Sequence, residues 1–308
     1  QRRPELNGRP VVVAGSGPRA VVTTASYEAR KFGVFSATPA ERARRLCPQA
    51  VFIPPDFDHY RARSREVMAV LHDHVERVEV VGLDEAYLDL SEFERPRAAA
   101  RRVKAAITER TGLGCSIGIG PNKLVAKVAS DADKPDGFVE LTAEQARERF
   151  AQARPGLIPG IGPKTAERLQ RQGIETLGAL AAVPDHLLTE WFGARLGPYL
   201  GSLARFEDDR TLETVRIAKS ESRETTFDHD LRGLGQLEPE LRRLTQARPD
   251  FAEIVAFYRK QRNRPGEKRQ HFLHETAHEA SNRRHGDDQE HDDVETRHSI
   301  AIVIMPVT

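Results

Sequence analysis

The sequence predicts a layered α/β or α+β domain followed by a compact all-helical module. Short strand-like and helix-like segments alternate from the start of the chain to about Leu141, the pattern of a sheet covered by helices. From Thr142 to Asp208 the apolar spacing becomes helical and is broken by Gly and Pro. Beyond that point both patterns give way to polar, charged sequence.

In order, Val11–Val13 and Ala20–Thr24 read as strands around the turn Gly15-Ser16-Gly17-Pro18. Helical stretches follow from Tyr27 to Phe32 and around Pro39 to Cys47, and Val51–Ile53 is a strand ended by Pro54-Pro55. From Tyr60 to His74, Val67, Val70 and Leu71 recur at helical spacing. Arg77 to Leu90 is strand-like with a break at Gly82, and Pro96 to Arg110 is helical. Leu113–Ile119 reads as a strand, Asn122–Ala132 as a helix with Pro121 near its start, and Phe138–Leu141 as a further strand. Thr214 to Thr225 has the composition of a linker. Six of the eleven His lie between His271 and His298, and six of the eleven residues from Gly286 to Thr296 are acidic, a nearly continuous acidic stretch. Composition predicts disorder over Arg283–Arg297, and Ala247 to Thr308 carries no strand-and-helix pattern.

A chain of 308 residues suits two or three domains, and 39% hydrophobic residues are enough for real cores. No run approaches the roughly 18 to 20 apolar residues of a spanning helix, so no membrane role is expected. Gln1-Arg2-Arg3-Pro4-Glu5 has neither an apolar signal region nor an initiator Met, which suggests a fragment or a mis-called start. Cys47 and Cys115 are too few for a disulfide framework or a four-ligand zinc site, so a reducing cytoplasm is expected. The formal net charge of +1 excludes a global basic field. Arg, however, makes up 38 of the 47 basic residues; this reflects either phosphate recognition or codon bias in a GC-rich genome.

Three constellations carry chemistry. In Val80-Val81-Gly82-Leu83-Asp84-Glu85-Ala86-Tyr87, adjacent residues on a regular strand point to opposite faces. Asp84 and Glu85 can share a cation only where the backbone bends, and Gly82 supplies a bend. Two such carboxylates repel unless cations neutralise them, and hard oxygen donors without His or Cys favour Mg²⁺. The bland alternative is a solvated turn. Leu157 to Leu169 holds Gly160-Ile161-Gly162 between apolar positions, followed by Lys164 and Thr165. This is a tight hairpin whose backbone N–H groups at a helix N-terminus suit phosphate; the alternative is an ordinary helix-Gly-helix turn. Tyr27 and Arg30 lie three apart at a helix start, so they share a face and could meet a polyphosphate; taken alone, the segment also reads as an exposed amphipathic helix.

These pieces, in this order, resemble the Y-family translesion DNA polymerases, and the bacterial polymerase IV group in particular. The likeness rests on Ser26–Gly33, Leu83–Asp89, Ser116–Lys123, Ala132–Gly137, the hairpin Pro159–Thr165 and Glu224–Phe227, and it spans about Arg2 to Leu244. It implies an α+β right hand: fingers over 1–56, a ferredoxin-like palm over 57–145, an all-helical thumb with a helix-hairpin-helix over 146–213, and a linker over 214–226. Residues 227–308 would be a degenerate or replaced little finger and tail, shifted in frame or fused, and partly disordered. By the same resemblance Asp84 and Glu85 are catalytic and hold two Mg²⁺ ions, while Tyr27, Arg30 and Lys134 contact the incoming triphosphate. Gly160, Ile161, Gly162, Lys164 and Thr165 would hold DNA. Primer-template DNA and dNTPs are the implied partners, with a sliding clamp added, for a monomer acting in the cytoplasm.

The family's first catalytic Asp and its ribonucleotide-excluding residue lie on an opening palm strand that precedes the segment like Gln1–Val13. The expected palm therefore lacks its first strand and leaves backbone donors and acceptors open. Gly82 also stands where the family usually has Ser. Two other readings follow. One is a non-catalytic DNA-binding remnant. The other is a zinc metalloprotease segment built on His274-Glu275-Thr276-Ala277-His278, whose two His would share a helix face.

Overall fold

The computed structural model of the chain describes residues 3–215, 222, 224–246 and 300–304. The first layer is a three-stranded sheet of β1 (Val11–Ala14), β2 (Val22–Ala25) and β3 (Val51–Ile53), in the order β2-β1-β3. β1 runs antiparallel to β2 and parallel to β3. A parallel neighbour needs a crossover, and α1 (Tyr27–Arg30) and α2 (Ala40–Leu46) lie on that connection.

The second layer is a five-stranded sheet. Its strands are β4 (Val78–Val80), β5 (Glu85–Asp89), β6 (Ser116–Gly120), β7 (Phe138–Glu140) and β8 (Ile300–Ile304), in the order β4-β5-β8-β6-β7. One face packs on α3 (Phe57–His74) and α4 (Pro96–Thr111), where Val67, Val70, Leu71, Val103 and Ile107 meet Leu88, Ile117 and Ala301. Both helices obey local stop and start rules. Asp56 caps α3 by accepting from the His59 N–H at 3.1 Å, and α4 ends at Gly112 with φ +65°.

The other face carries α5 (Lys123–Ala132), capped by Asn122 accepting from Val125 N–H at 2.9 Å. It packs against β6 without room for a side chain between them. A Cβ on Gly118 would fall 2.0 Å from the Ala126 carbonyl oxygen. Glycine is required here by close approach rather than by backbone angle. Leu124, Val125 and Val128 of α5 continue into the core of the helical module, α6 (Ala143–Phe150), α7 (Pro163–Arg171), α8 (Leu177–Ala181), α9 (Asp185–Phe192) and α10 (Leu196–Ala204). A capping box between Thr142 and Gln145 starts α6. A second compact unit combines Ser16–Ala20 with residues between Ala218 and Glu295; its described part includes α11 (Leu234–Gln246) and an ion pair between Arg19 and Asp230.

Two expectations are corrected. The gap foreseen in the palm sheet is not open: β8 lies in it, antiparallel to both β5 and β6. Residues 300–304 are thus a strand in a region expected to carry no pattern, because a strand flanked on both sides and covered on both faces is a continuous apolar run with no alternation to read. Gly82 does not bend a single strand either. Residues 81–84 turn between β4 and β5, and the Glu85 carbonyl accepts from Val81 N–H at 2.9 Å and Gly82 N–H at 3.2 Å. His274, Glu275, His278 and the range 283–297 expected to be disordered lie outside the described residues.

Candidate functional site

The turn between β4 and β5 sets the geometry of the acidic pair. Asp84 is the last turn residue and Glu85 opens β5, so the two neighbours escape the opposite-face rule of a regular strand. Both are half-buried, and the turn around them is exposed at Val80, Val81 and Leu83. Burial raises the Asp84 carboxyl above its ordinary range, and the adjacent Glu85 charge adds to this. Its own backbone N–H and the charges of Lys127 and Lys134 act the other way. The pair is a place where negative charge is held at a cost.

Cations on and just beyond α5 offset that cost. Lys127 of α5 places Nζ 3.0 Å from Glu85 Oε1 and 3.6 Å from Asp131 Oδ2. Lys134, just past the end of α5, places Nζ 2.5 Å from Asp131 Oδ1. The sequence-expected triphosphate contact Lys134 is therefore brought to the acidic pair's neighbourhood. Lys127 and Asp131 were missed by sequence reasoning, although their i, i+4 spacing followed by Lys134 at i+7 marks one helix face.

α5 is held in place at its N-terminus by the strap that follows the helical module. Asn122 donates to the Phe206 carbonyl at 3.0 Å, and Asp208 Oδ2 accepts from Leu124 N–H at 3.0 Å. Lys123, buried at 6% exposure, pairs with Glu79 of β4 at 2.5 Å and donates to the Thr211 carbonyl at 3.1 Å. Its ammonium also lies 5.2 Å from the centre of the Tyr87 ring, two residues along β5 from Glu85. Burial would raise the Asp208 carboxyl, but bonds from Arg210 and Leu124 outweigh it and hold it below the usual range. Burial and the Glu85 charge push the Tyr87 hydroxyl up.

The donor set fits a hard divalent ion. Mg²⁺ is commonly bound through one or two carboxylates, with water and substrate phosphates completing its shell, and Asp84 with Glu85 supplies that number. Among the described residues no group of three or more His, Cys, Asp or Glu could hold a metal. The position paired across from Glu85 on β8 is Ile304.

Tyr27 and Arg30 share a face, as their spacing requires. The Arg30 guanidinium lies 5.1 Å from the Tyr27 ring centre and its Nε donates to the Ala25 carbonyl at 3.0 Å. Ser26 caps this short helix and also accepts from Val11 N–H at 3.0 Å, which ties it to β1.

In the helical module Gly160 has φ +97°, a conformation that favours glycine. Gly162 precedes α7 with no side-chain cap, and Lys164 is exposed in the first turn of that helix. Nothing would obstruct a side chain at Gly160 or Gly162, so the surface there is open. Ile161 differs from its exposed neighbours in burial. It is 4% exposed in the helical core and its N–H bonds the Ile158 carbonyl at 3.1 Å. Its side chain anchors the hairpin in the helical core.

The profile of the impB/mucB/samB family matches residues 1–131. The chain is 46% identical over 235 residues to a DNA polymerase IV of Alkalilimnicola ehrlichii, a match covering 74% of this chain and 66% of that protein. It is 43% identical over 247 residues to a DNA polymerase IV of Xanthomonas campestris pv. campestris, covering 79% and 68%. The chain thus spans about two thirds of the length of these relatives. Among solved structures it is similar to DinB from Sulfolobus solfataricus, with TM-score 0.63, 32% identity and coverage of 69% of this chain and 64% of that one. It is also similar to an insertion ternary complex of Dbh DNA polymerase, with TM-score 0.63, 25% identity and coverage of 99% and 93%.

Proposed function

Since the chain belongs to the Y-family DNA polymerases, we propose that it transfers nucleotides from dNTPs to a primer 3′-hydroxyl as a DNA template directs, in translesion synthesis. The observation that carries this reading is the Asp84–Glu85 turn with Lys127 and Lys134 beside it. Asp84 and Glu85 would hold Mg²⁺, which when bound activates the primer hydroxyl and neutralises charge on the leaving pyrophosphate. Two ions are the reading for the full reaction, with nucleotide phosphates supplying ligands that the described residues do not.

The chain's own residues do the rest by position and charge. Lys134 offers a cation to the triphosphate from a place fixed by Asp131. Arg30, its guanidinium plane set by the Ala25 carbonyl and the Tyr27 ring, provides fork donors for phosphate oxygens, and the Tyr27 hydroxyl adds another. The uncapped start of α7, with Gly160, Gly162, Lys164 and Thr165, suits the DNA backbone, a contact that positions without reading sequence. The cytoplasm is the compartment of this reading, supported by two free, buried cysteines, Cys47 and Cys115. A sliding clamp as further partner and a monomeric state belong to the same reading.

Primer-template extension with Mg²⁺ tests it. Extension by the chain that is abolished by Asp84→Ala is the expected result, and equal extension by both proteins would overturn it. A second reading is DNA binding without synthesis. Salt-dependent duplex binding with no extension selects that reading.

A further inference from the structure

Glu85 does not stand as a bare carboxylate beside Asp84. One ammonium, that of Lys127, bridges Glu85 Oε1 at 3.0 Å and Asp131 Oδ2 at 3.6 Å. Lys127 and Glu85 are half-buried, at 19% and 24% side-chain exposure, and Asp131 is exposed at 38%. The helix beneath them is fixed. Its N-terminus is bonded to Phe206, Asp208 and Thr211, and Gly118 lets its backbone lie directly on β6. The Lys127 stem is therefore the part free to move, and a lysine stem is flexible where the backbone is not.

We propose that Lys127 is the resident counter-cation of the acidic pair, that a divalent ion must displace it from Glu85, and that Asp131 receives it. The inference rests on reading Asp84 and Glu85 as the metal site. An ammonium and a hard divalent ion use the same carboxylate lone pairs and repel each other. They compete for Glu85. The exit is already built: Lys134 takes Oδ1 of Asp131, leaving Oδ2 toward Lys127. Lys127 is thus a positioning residue. It keeps the empty acidic pair compensated and sets how much metal is needed to fill it.

The test is titration of Mn²⁺ alone into the full 308-residue chain at low ionic strength, without DNA or nucleotide, with free Mn²⁺ followed by electron paramagnetic resonance. Lys127→Met removes the competitor and should tighten Mn²⁺ binding by about tenfold, the lower range for close charge pairs. Asp131→Asn removes the exit and should weaken it. Mn²⁺ should also raise the melting temperature of Lys127→Met more than that of the wild type. A lysine that only ties the helix to the sheet would leave Mn²⁺ affinity unmoved, and unchanged or weaker binding in Lys127→Met overturns the proposal. Should that variant fail to fold, unchanged affinity in Asp131→Asn overturns it instead. Glu85→Gln separates the two layers: lost binding there keeps the metal site whatever Lys127 does, whereas unchanged binding overturns both.

Discussion

β5 and β8 lie side by side in one sheet, yet they are opposite kinds of sequence. β5 alternates, with Ala86 and Leu88 buried against α3 and α4, and Glu85, Tyr87 and Asp89 turned to the other face. β8 does not alternate, because Ala301 meets the first core while Ile300 and Ile302 meet Ala126, Leu212 and Tyr87 on the second. The difference shows what the α5 face demands. Where α5 and the strap press on the sheet, the strand must be apolar on both faces. At the open end of β5 a carboxylate survives, because Lys127 reaches it.

The largest test of this contrast is Ile302→Ala. Ile302 is fully buried, so the loss should be about 2–5 kcal/mol of stability, read from urea unfolding. A change near zero would mean that β8 is not part of the working sheet. Next comes Asp208→Asn, which should cost about 1–3 kcal/mol at neutral pH because charged hydrogen bonds to Arg210 and Leu124 are weakened. The folded Asp208 carboxyl titrates below its unfolded value. Its contribution is therefore complete above the unfolded pKa and is lost as pH falls through the folded one. Asp208→Asn should flatten the acid limb of the stability curve, and an unchanged limb would remove Asp208 from the strap's hold on α5.

Smaller still, Lys164→Ala should leave the melting temperature unmoved and reduce the salt slope of duplex binding by about one. An unaltered slope would take the hairpin out of the DNA contact. Least of all, Gly82→Ser should change stability by no more than about 0.5 kcal/mol. A Cβ there meets nothing nearer than Asp84 Oδ1 at 3.7 Å, and the backbone is not left-handed.

Local chemistry made the first half of the molecule readable. The proline-ended strand at Val51–Ile53, the helical recurrence of Val67, Val70 and Leu71, and the helix read over 122–132 all fall where the sequence puts them. Tyr27 and Arg30 likewise share a face, as their spacing requires. What escaped reading is non-local. The placement of Ile300–Ile304 between β5 and β6 depends on partners more than 180 residues away, as the register of Ile302 with Gly118 makes plain. Glu79 and Thr211 are polar residues of no special pattern until the fold pairs both with Lys123, whose ammonium lies over the Tyr87 ring. The burial of Ile161, which anchors the hairpin, could not be read from its motif either.

A crystal of the chain equilibrated with Mn²⁺, measured at the manganese absorption edge, addresses the metal assignment without intermediaries. The account predicts an anomalous peak within coordination distance of both the Asp84 and Glu85 carboxylates, with the Lys127 ammonium withdrawn to Asp131. Full occupancy elsewhere, with those carboxylates apart and Lys127 still on Glu85, would contradict it.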